Sequence, residues 1–550
     1  MRWAVLLAAG CTRTPPRVDA EAPRARDVAA VAPSPARSSP PWRWAVAALD
    51  LPPGAPLPAL STVERVAAPG LTLDTVHRFA RHGRGRVACQ FDVARRGVAC
   101  VTDALSDDWR VKGARLVRFD AARGAVAERL VAGALQASFL WGDFNRDGWL
   151  DFWGFADETE EADARAVLYV GTADPWAFRP TRPLAIDHPV LGGAVLDADA
   201  DGCEDVLVLG TGWEFRRGGP VVYYRDTLYA GDCRGGFAPA NRALGLDRVP
   251  DFEGETDAPP RLGRVAVVTD LDGDRCADLV VGNYRAHPDT FVRRACGGSF
   301  EAWRRAPDDP WRETLGHAVG LFPWDDGRRG ALDLHVFNLW HDDWRGRFTD
   351  RSYRLATTTD VPRREELPQP LEAPLGAAVA DFDGDGRSET LLATGTRGQP
   401  YTGPASLWRG GREVWHDARG WLRLRETPAV TDVNLDGAPD LVGDGRVLAQ
   451  PGAGARRWIG FVFVGRSASG SVAVVETDRD AAAFALAADG RGQPSNLLTV
   501  GLGARARPRR LMLYEGATGR AASVPLDDLA LGRYHAVRGD DAAAPAQARP

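Results

Sequence analysis

The sequence predicts an all-β fold: a seven-bladed β-propeller followed by a small β-rich C-terminal domain. A nine-residue acidic loop recurs seven times, starting at residues 92, 143, 197, 270, 325, 381 and 432, with spacings of 51, 54, 73, 55, 56 and 51 residues. Short apolar stretches flank each loop, which is the pattern of two strands joined by a turn. The roughly 35 turn-rich residues left in each repeat have room for a four-stranded sheet, and seven such sheets suggest a closed propeller. Each loop is named below by its first residue.

The composition agrees with a repeat array. The chain has 550 residues and a mass of 59.3 kDa, too many for one small core. Its 60 glycines and 39 prolines favour turns and short strands. The 68 basic and 74 acidic side chains leave a net charge of −6, which offers no basic surface for nucleic acid.

Five of the seven loops carry oxygen-bearing side chains at positions 1, 3, 5 and 9. With a backbone carbonyl these supply the hard oxygen cage that Ca²⁺ prefers, whereas Mg²⁺ keeps more of its own water and demands stricter geometry. Glycine at position 6 permits the sharp turn that returns the later ligands. We therefore predict about five Ca²⁺ sites, whose ligands are Asp143, Asn145, Asp147, Asp151, Asp197, Asp199, Asp201, Asp205, Asp270, Asp272, Asp274, Asp278, Asp381, Asp383, Asp385, Glu389, Asp432, Asn434, Asp436 and Asp440.

An EF-hand shares the first six positions of these loops and is the main alternative. It requires a bidentate Glu at position 12 and flanking helices. The flanks here are strand-like, and position 12 is occupied by Gly154, Val208, Val281, Leu392 and Gly443. The sequence therefore excludes an EF-hand.

The 92 and 325 loops are incomplete. The 92 loop keeps Asp92 and Gly97, and the 325 loop also keeps its last carboxylate, Asp333. Arg96 and Arg329 stand at position 5 of these loops. Our hypothesis is that a guanidinium replaces the cation there and holds the carboxylate, and the alternative is a simple loss of ligands.

Six cysteines remain after Cys11, and an even number in an exported chain suggests disulfides. Cys203 and Cys276 both stand at position 7 of their loops. Cys233 and Cys296 precede similar stretches, each ending in Phe, in the same two repeats. The register therefore predicts the pairs 203–233 and 276–296, which leaves 89–100.

The N-terminus predicts export. Residues 1–11 combine a cationic residue, an apolar run and small residues before Cys11, like a secretory signal with a lipoprotein lipobox. Residues 12–45 are rich in Pro, Ala and Arg and are predicted to form a tether. We expect a bacterial outer-membrane lipoprotein, periplasmic or surface-exposed, that contacts the membrane only through a lipidated Cys11. The propeller is predicted over 46–449, a further domain over 450–540 and a disordered tail over 541–550.

These residues resemble known families. The five complete loops are similar to FG-GAP/VCBS repeats, the calcium-loop blades also found in the integrin α head. The segment from Gln450 to Arg538 resembles the ASPIC/UnbV domain, through Thr499-Val500-Gly501-Leu502-Gly503 and Leu511-Met512-Leu513-Tyr514-Glu515-Gly516. The combination is similar to bacterial relatives of cartilage acidic protein. The resemblance implies calcium-stabilised blades and adhesion or carbohydrate contact, and it implies no reaction.

No dedicated catalytic constellation is recognisable. The nine histidines form no metal-ligating pair, and no nucleophile elbow, P-loop or dinucleotide fingerprint occurs. A Trp-rich stretch, 338–344, is either a sugar-stacking platform or blade packing, and the same choice applies to Trp141, Trp149 and Trp153. The favoured function is a non-catalytic adhesion or binding module for a glycan or cell-surface protein. The alternatives are a calcium-dependent polysaccharide lyase or hydrolase, and an assembly scaffold with structural metals.

Overall fold

The computed structural model describes much of the chain from residue 44 to residue 539. The described residues are 44–51, 57, 65–69, 71–79, 87–105, 111–132, 138–155, 166–181, 184, 186, 188, 190–210, 224–249, 262–284, 287–303, 316–325, 330–338, 352–356, 363–366, 374–394, 405–410, 412–417, 422, 427–443, 445–450, 457–464, 468–486, 488–489, 496–504 and 506–539. The predicted signal, Cys11 and the C-terminal tail lie outside these ranges.

The all-β prediction is confirmed for the described residues, which contain strands and one short 3₁₀ helix, Leu246–Arg248, but no α-helix. No described helix is therefore long and apolar enough to cross a membrane. The first three strands are β1 (Trp44–Leu51), β2 (Arg65–Ala68) and β3 (Leu71–Arg78).

Six antiparallel sheets follow along the chain, each built from four consecutive strands. Sheet 1 contains β4 (Val87–Asp92), β5 (Gly97–Leu105), β6 (Val111–Asp120) and β7 (Ala125–Ala132); sheet 2 contains β8 (Ser138–Gly142), β9 (Asp151–Phe155), β10 (Ala166–Gly171) and β11 (Phe178–Pro180). Sheet 3 contains β12 (Val190–Leu196), β13 (Asp205–Gly210), β14 (Thr227–Gly231) and β15 (Phe237–Pro239); sheet 4 contains β16 (Gly263–Thr269), β17 (Asp278–Asn283), β18 (Thr290–Arg294) and β19 (Phe300–Ala302). Sheet 5 contains β20 (Ala318–Trp324), β21 (Asp333–Asn338), β22 (Tyr353–Ala356) and β23 (Arg363–Glu366); sheet 6 contains β24 (Pro374–Ala380), β25 (Glu389–Thr394), β26 (Ala405–Arg409) and β27 (Arg412–His416).

Sheet 7 joins two distant parts of the chain. Its strands β28 (Ala429–Thr431), β29 (Asp440–Gly443) and β30 (Arg446–Ala449) continue through β3 to β2. The first strands contact one another in the order β4, β8, β12, β16, β20, β24 and β28, and β28 contacts β4 again. Apolar clusters fill the spaces between neighbouring sheets, because both faces of most strands are buried.

The remaining strands form two packed sheets, named the sandwich below: β31 (Trp458–Val464), β32 (Ser471–Thr477), β33 (Ala481–Leu486), β35 (Leu497–Gly501), β36 (Pro508–Tyr514), β37 (Ala521–Pro525) and β38 (Tyr534–Gly539). The sheet orders are β1-β38-β31-β35 and β33-β32-β36-β37. Phe461 and Leu511, from opposite sheets, lie in one buried cluster. The pairing of β1 with β38 was not anticipated, since residues 46–51 were assigned to the propeller.

One segment of the sandwich extends into the seven sheets. β34 (Ala488–Asp489) pairs antiparallel with β12 of sheet 3, through Ala194 and Val195. It also contacts β8 and β16, while β33 contacts β20. β33 and β34 therefore lie against the first strands of sheets 2 to 5.

The three predicted disulfides are present: Cys89–Cys100, Cys203–Cys233 and Cys276–Cys296. Each lies within one sheet, and the second and third join an acid loop to the turn after the third strand. The register of the repeat was sufficient to pair them because equivalent positions in successive repeats occupy equivalent places.

Candidate metal centres

All five complete loops share one hydrogen-bonding pattern. The position 1 carboxylate accepts a hydrogen bond from the backbone N–H of position 6, at 2.6–3.2 Å. The position 5 carboxylate accepts one from the N–H of position 7, at 2.7–2.9 Å. The side chains are thus folded inward over their own backbone, which draws the acidic groups of each loop together.

The backbone turns at two places in each loop. Glycines at position 6 have φ near +87°, as expected from the sequence, and Arg275 takes this place in the 270 loop with φ of 71°. Position 4 also has positive φ, including Arg146, Ala200 and Leu435 at 56°, 62° and 59°. Gly273 and Gly384 take the same place in the 270 and 381 loops, with φ of 83° and 74°. The sequence therefore signals the second turn in these two loops only, because the residue types in the other three do not favour positive φ.

The position 9 carboxylates are 0% exposed in all five loops. Each accepts the N–H of position 2 at 2.6–3.1 Å. In four loops the second oxygen accepts a backbone N–H at or just after the end of the third strand, at 2.7–2.9 Å. In the 381 loop it accepts from Arg409 Nε at 3.0 Å. Position 9 therefore ties the loop to its sheet, a structural role that the ligand prediction did not include.

The structure brings three carboxylates together in each of three loops, with ligand oxygens within 4.8 Å of one another; the sets are Asp197, Asp199 and Asp205; Asp270, Asp272 and Asp278; and Asp381, Asp383 and Asp385. The 143 and 432 loops have asparagine at position 3. There the amide Nδ2 of Asn145 and of Asn434 donates to the position 5 carboxylate at 2.9 Å. These two loops hold fewer negative charges around the same space.

The donor set fits a hard cation. Asp381 Oδ1 and Asn434 Oδ1 are buried and have no hydrogen-bond partner among the described residues. Burial and neighbouring carboxylates raise the pKa of Asp143 to about 7, that of Asp381 to about 7 and that of Asp432 to about 8. A bound cation would remove the cost of keeping these buried groups ionised.

Two arginines supply part of that positive charge. Arg293 Nε lies 2.6 Å from Asp272 Oδ2. Arg409 forms ion pairs with both Asp383 and Glu389. These guanidinium groups reach the rims of the 270 and 381 loops from the third strands of their sheets, so a cation there would share its carboxylates with an arginine.

In the absence of divalent cations, the folded state is expected to lose stability as the pH rises from about 4 to about 8. In the folded chain Asp143, Asp381 and Asp432 hold their protons because their pKa values are about 7, about 7 and about 8. The unfolded chain releases these protons at about pH 4, so it binds fewer protons than the folded chain throughout this window. The free energy of the unfolded chain therefore falls relative to that of the folded chain as the pH rises.

Melting curves in chelator across this pH window measure the effect. Asp381→Asn should reduce the fall in melting temperature, whereas Asp478→Asn, on an exposed turn, should leave it unchanged. A melting temperature that stays level or rises with pH would contradict the expectation.

The arginine hypothesis for the 92 loop is half right. A guanidinium does hold Asp92, but the donors are Arg95 and Arg118, at 2.6 and 2.7 Å from Asp92 Oδ2. Arg96, the predicted residue, is exposed. Arg329 lies outside the described residues.

The sandwich covers the end of the sheets that carries the acid loops. Tyr534 donates to Asp432 Oδ2 at 2.7 Å, and a Cβ at Gly437 would overlap the Trp458 indole. A Cβ at Gly501 would overlap Asp381 Oδ2. The two stretches that carried the family resemblance, 499–503 and 511–516, lie on or beside the acid loops.

Three further contacts join the sandwich to the 270 loop, to the 325 loop and to Phe91, the residue before the 92 loop. Gly516 C=O accepts from Ala277 N at 2.7 Å in the 270 loop. Ala483 N donates to Asp325 Oδ2 at 3.1 Å in the 325 loop. Asn496 exchanges two hydrogen bonds with the backbone of Phe91, at 3.2 and 2.8 Å. Five of the seven loops are thus held by one domain, a relation that no spacing in the sequence reveals.

The tryptophans near the 143 loop serve packing. Trp141 and Trp153 are 4% and 1% exposed, and Trp153 stacks on Phe155. The Arg95 guanidinium lies over the Trp149 ring, with its carbon 4.6 Å from the ring centre. In the second Trp-rich stretch only Asn338 is described, and residues 339–344 lie outside the described ranges.

Comparison with known proteins adds only distant likenesses. No family model and no curated protein matches the chain. An Agrocybe aegerita lectin that recognises non-reducing terminal N-acetylglucosamine shares 13% identity and a TM-score of 0.36, over 64% of this chain and 95% of the lectin. An exotype rhamnogalacturonan lyase shares 12% identity and a TM-score of 0.37, over 73% of this chain and 76% of the lyase. A Streptococcus pneumoniae sialidase shares 10% identity and a TM-score of 0.31, over 69% of this chain and 70% of the sialidase. Likenesses this distant assign neither ligand nor activity to this chain.

Proposed function

We propose that this chain is a calcium-stabilised, closed seven-bladed β-propeller of the FG-GAP/VCBS type, which serves as an exported, non-catalytic binding module for a glycan or a cell-surface protein. The sandwich, an ASPIC/UnbV-like domain, caps one end of it. A lipidated Cys11 and the tether of residues 12–45 would hold the module at the bacterial cell envelope.

Two contacts support ring closure. The first strands of the seven sheets contact one another in sequence, and β28 of sheet 7 contacts β4 of sheet 1. Sheet 7 combines strands from both ends of the repeat array, because β3 pairs with β30. Pairing strands from the two ends of the array within one sheet ties the first repeat to the last.

The observation that supports the non-catalytic assignment is the engagement of the acid loops within the fold. Their carboxylates bind their own backbone, and five loops lie under the sandwich. The acids that would otherwise suggest general acid–base chemistry are therefore engaged in holding the fold. Calcium, where bound, would supply positive charge inside the loops.

The proposal is tested by gel migration of a labelled polysaccharide panel with residues 44–550, in calcium and in chelator. Retardation that depends on calcium supports a glycan-binding module. Shortening of a polysaccharide overturns the non-catalytic assignment in favour of a lyase or hydrolase. If no polysaccharide is affected, the glycan part of the proposal fails.

A further inference from the structure

We propose that the interface between the seven sheets and the sandwich contains a binding site for a small neutral aromatic molecule with a hydroxyl group, of the phenol class. The site is a cavity of about 130 Å³. This inference goes beyond the proposed binding of a glycan or a protein, and neither proposal depends on the other.

The cavity lies where the sandwich and the first strands of the sheets leave space between them. β33 and β34 lie against the first strands of sheets 2 to 5. The cavity is bordered by the first strands of sheets 4 to 7, which contribute Val267, Leu321, Val379 and Val430. Strands β31, β33 and β35 border it from the sandwich. Two parts of the fold that are otherwise closely packed thus meet around a space that neither of them fills.

The lining is mainly apolar and includes aromatic rings from both parts of the fold. Phe322 and Trp324 come from β20, and Trp458 and Phe484 come from the sandwich. Trp324 and Phe484 meet edge to face, with their ring centres 6.4 Å apart. An apolar protein cavity of about 150 Å³ accepts one benzene ring. A single aromatic ring therefore fits the volume and the lining of this cavity.

Three residues of the cavity wall each have a buried polar atom without a hydrogen-bond partner among the described residues. These atoms are Trp324 Nε1, Asp381 Oδ1 and Thr431 Oγ1, and Thr431 is only 5% exposed. An indole N–H only donates, an ionised carboxylate only accepts, and a threonine hydroxyl does both. A ligand hydroxyl both donates and accepts, so it can pair with any of the three, whereas a hydrocarbon leaves all of them unpaired.

Charged aromatic molecules fit the wall less well. Asp381 and Asp432 both line the cavity. The 381 loop has four acidic side chains and the 432 loop has three, more negative charge than one Ca²⁺ in each loop would neutralise. An aromatic carboxylate would be repelled, and an aromatic ammonium ion has no acceptor for the Trp324 N–H. A neutral phenol avoids both penalties.

The test is isothermal titration calorimetry on the full chain in calcium, with p-cresol as the probe. Toluene has the same ring and methyl group without the hydroxyl, and p-toluate carries a carboxylate in its place. We expect p-cresol to bind about 5-fold to 10-fold more tightly than toluene, the contribution of one hydrogen bond to a buried partner. We expect p-toluate to bind more weakly than p-cresol.

Thr431→Val keeps the shape of the side chain and removes its hydroxyl. It should weaken the binding of p-cresol by about 5-fold to 10-fold and leave the binding of toluene unchanged. Thr269→Val is the matched control, because Thr269 holds the equivalent position before the 270 loop. Thr269 is 1% exposed and also has a buried hydroxyl with no partner among the described residues, but it is not among the described residues that line the cavity.

Ala485→Leu provides a second variant. Ala485 lines the cavity from β33, and a leucine there adds a branched apolar group to the wall. This variant should abolish the binding of p-cresol and of toluene. Melting curves establish that each variant is folded, and Thr431→Val keeps the test decisive if Ala485→Leu does not fold.

Binding of p-cresol that is tighter than that of toluene, weaker in Thr431→Val and unchanged in Thr269→Val supports the site. The inference is overturned if p-cresol does not bind to the wild type, if Ala485→Leu is folded and binds it equally well, or if Thr269→Val weakens it as much as Thr431→Val. Equal or tighter binding of toluene or p-toluate overturns the phenol class. None of these results involves a polysaccharide, so the proposed function stands or falls separately.

Discussion

Removal of calcium is expected to lower the free energy of unfolding by roughly 2.7 kcal/mol for each occupied loop, when free calcium had been held at about 100-fold above its dissociation constant. The loops provide the reason: their carboxylates are buried and crowded, with three within 4.8 Å in the 197, 270 and 381 loops. A cation that binds only this folded arrangement stabilises it by mass action. Differential scanning calorimetry with calcium and with chelator measures the change.

A ligand variant separates the metal effect from the structural role of the loop. Asp199 is exposed, and its Oδ1 accepts the local backbone N–H of Asp201 at 3.1 Å. Desolvation and the neighbouring Asp201 carboxylate raise the pKa of Asp199, so its charge destabilises the calcium-free fold at neutral pH. Asp199→Asn keeps the acceptor but removes this charge, so it should reduce the gain from calcium and raise the chelated melting temperature slightly. Asp120→Asn, on the turn between β6 and β7, is the control and should alter neither. If the melting temperature of the wild type is the same in calcium and in chelator, the proposal of structural calcium is refuted.

Gly437→Ala is expected to destabilise the protein by about 2–5 kcal/mol, whereas Gly148→Ala should cost only about 1–2 kcal/mol. The two glycines hold position 6 of their loops with nearly identical φ, +87° and +86°. An added Cβ at Gly148 meets no described atom within 4 Å, while at Gly437 it overlaps Trp458. The pair therefore separates backbone strain from the contact with the sandwich.

Urea unfolding of both variants measures the difference. A double-mutant cycle with Trp458→Ala should recover most of the extra cost of Gly437→Ala, because the overlapping ring is then absent. If the two glycine variants lose the same free energy of unfolding, Trp458 of the sandwich does not contact the 432 loop in solution.

Sequence reasoning was most successful where the information is local and repeated. The acid loops, the strands on either side of them and the three disulfides follow from residues at fixed positions within one repeat. The loop side chains bind backbone groups within a few residues, so each copy folds its own loop in the same way. Five copies of the pattern then make a coincidence improbable.

Long-range contacts were beyond the reach of the sequence. The Arg118 that holds Asp92 comes from another strand of sheet 1, 26 residues away. The strand β1 belongs to the sandwich, at the far end of the chain. Tyr284 of sheet 4 and His317 of sheet 5 meet edge to face with ring centres 4.2 Å apart, and neither residue by itself indicates this contact.

The sequence by itself determined the all-β class, the recurring sheets, the acidic loops and the cysteine pairs. It could do so because equivalent residues form the same local hydrogen bonds in every copy of the repeat. Only the tertiary structure decided that the sandwich lies on five of the loops and that β34 lies along the first strands. These relations depend on which surfaces meet when distant segments bury their apolar faces, and burial of that kind imposes no spacing on the chain.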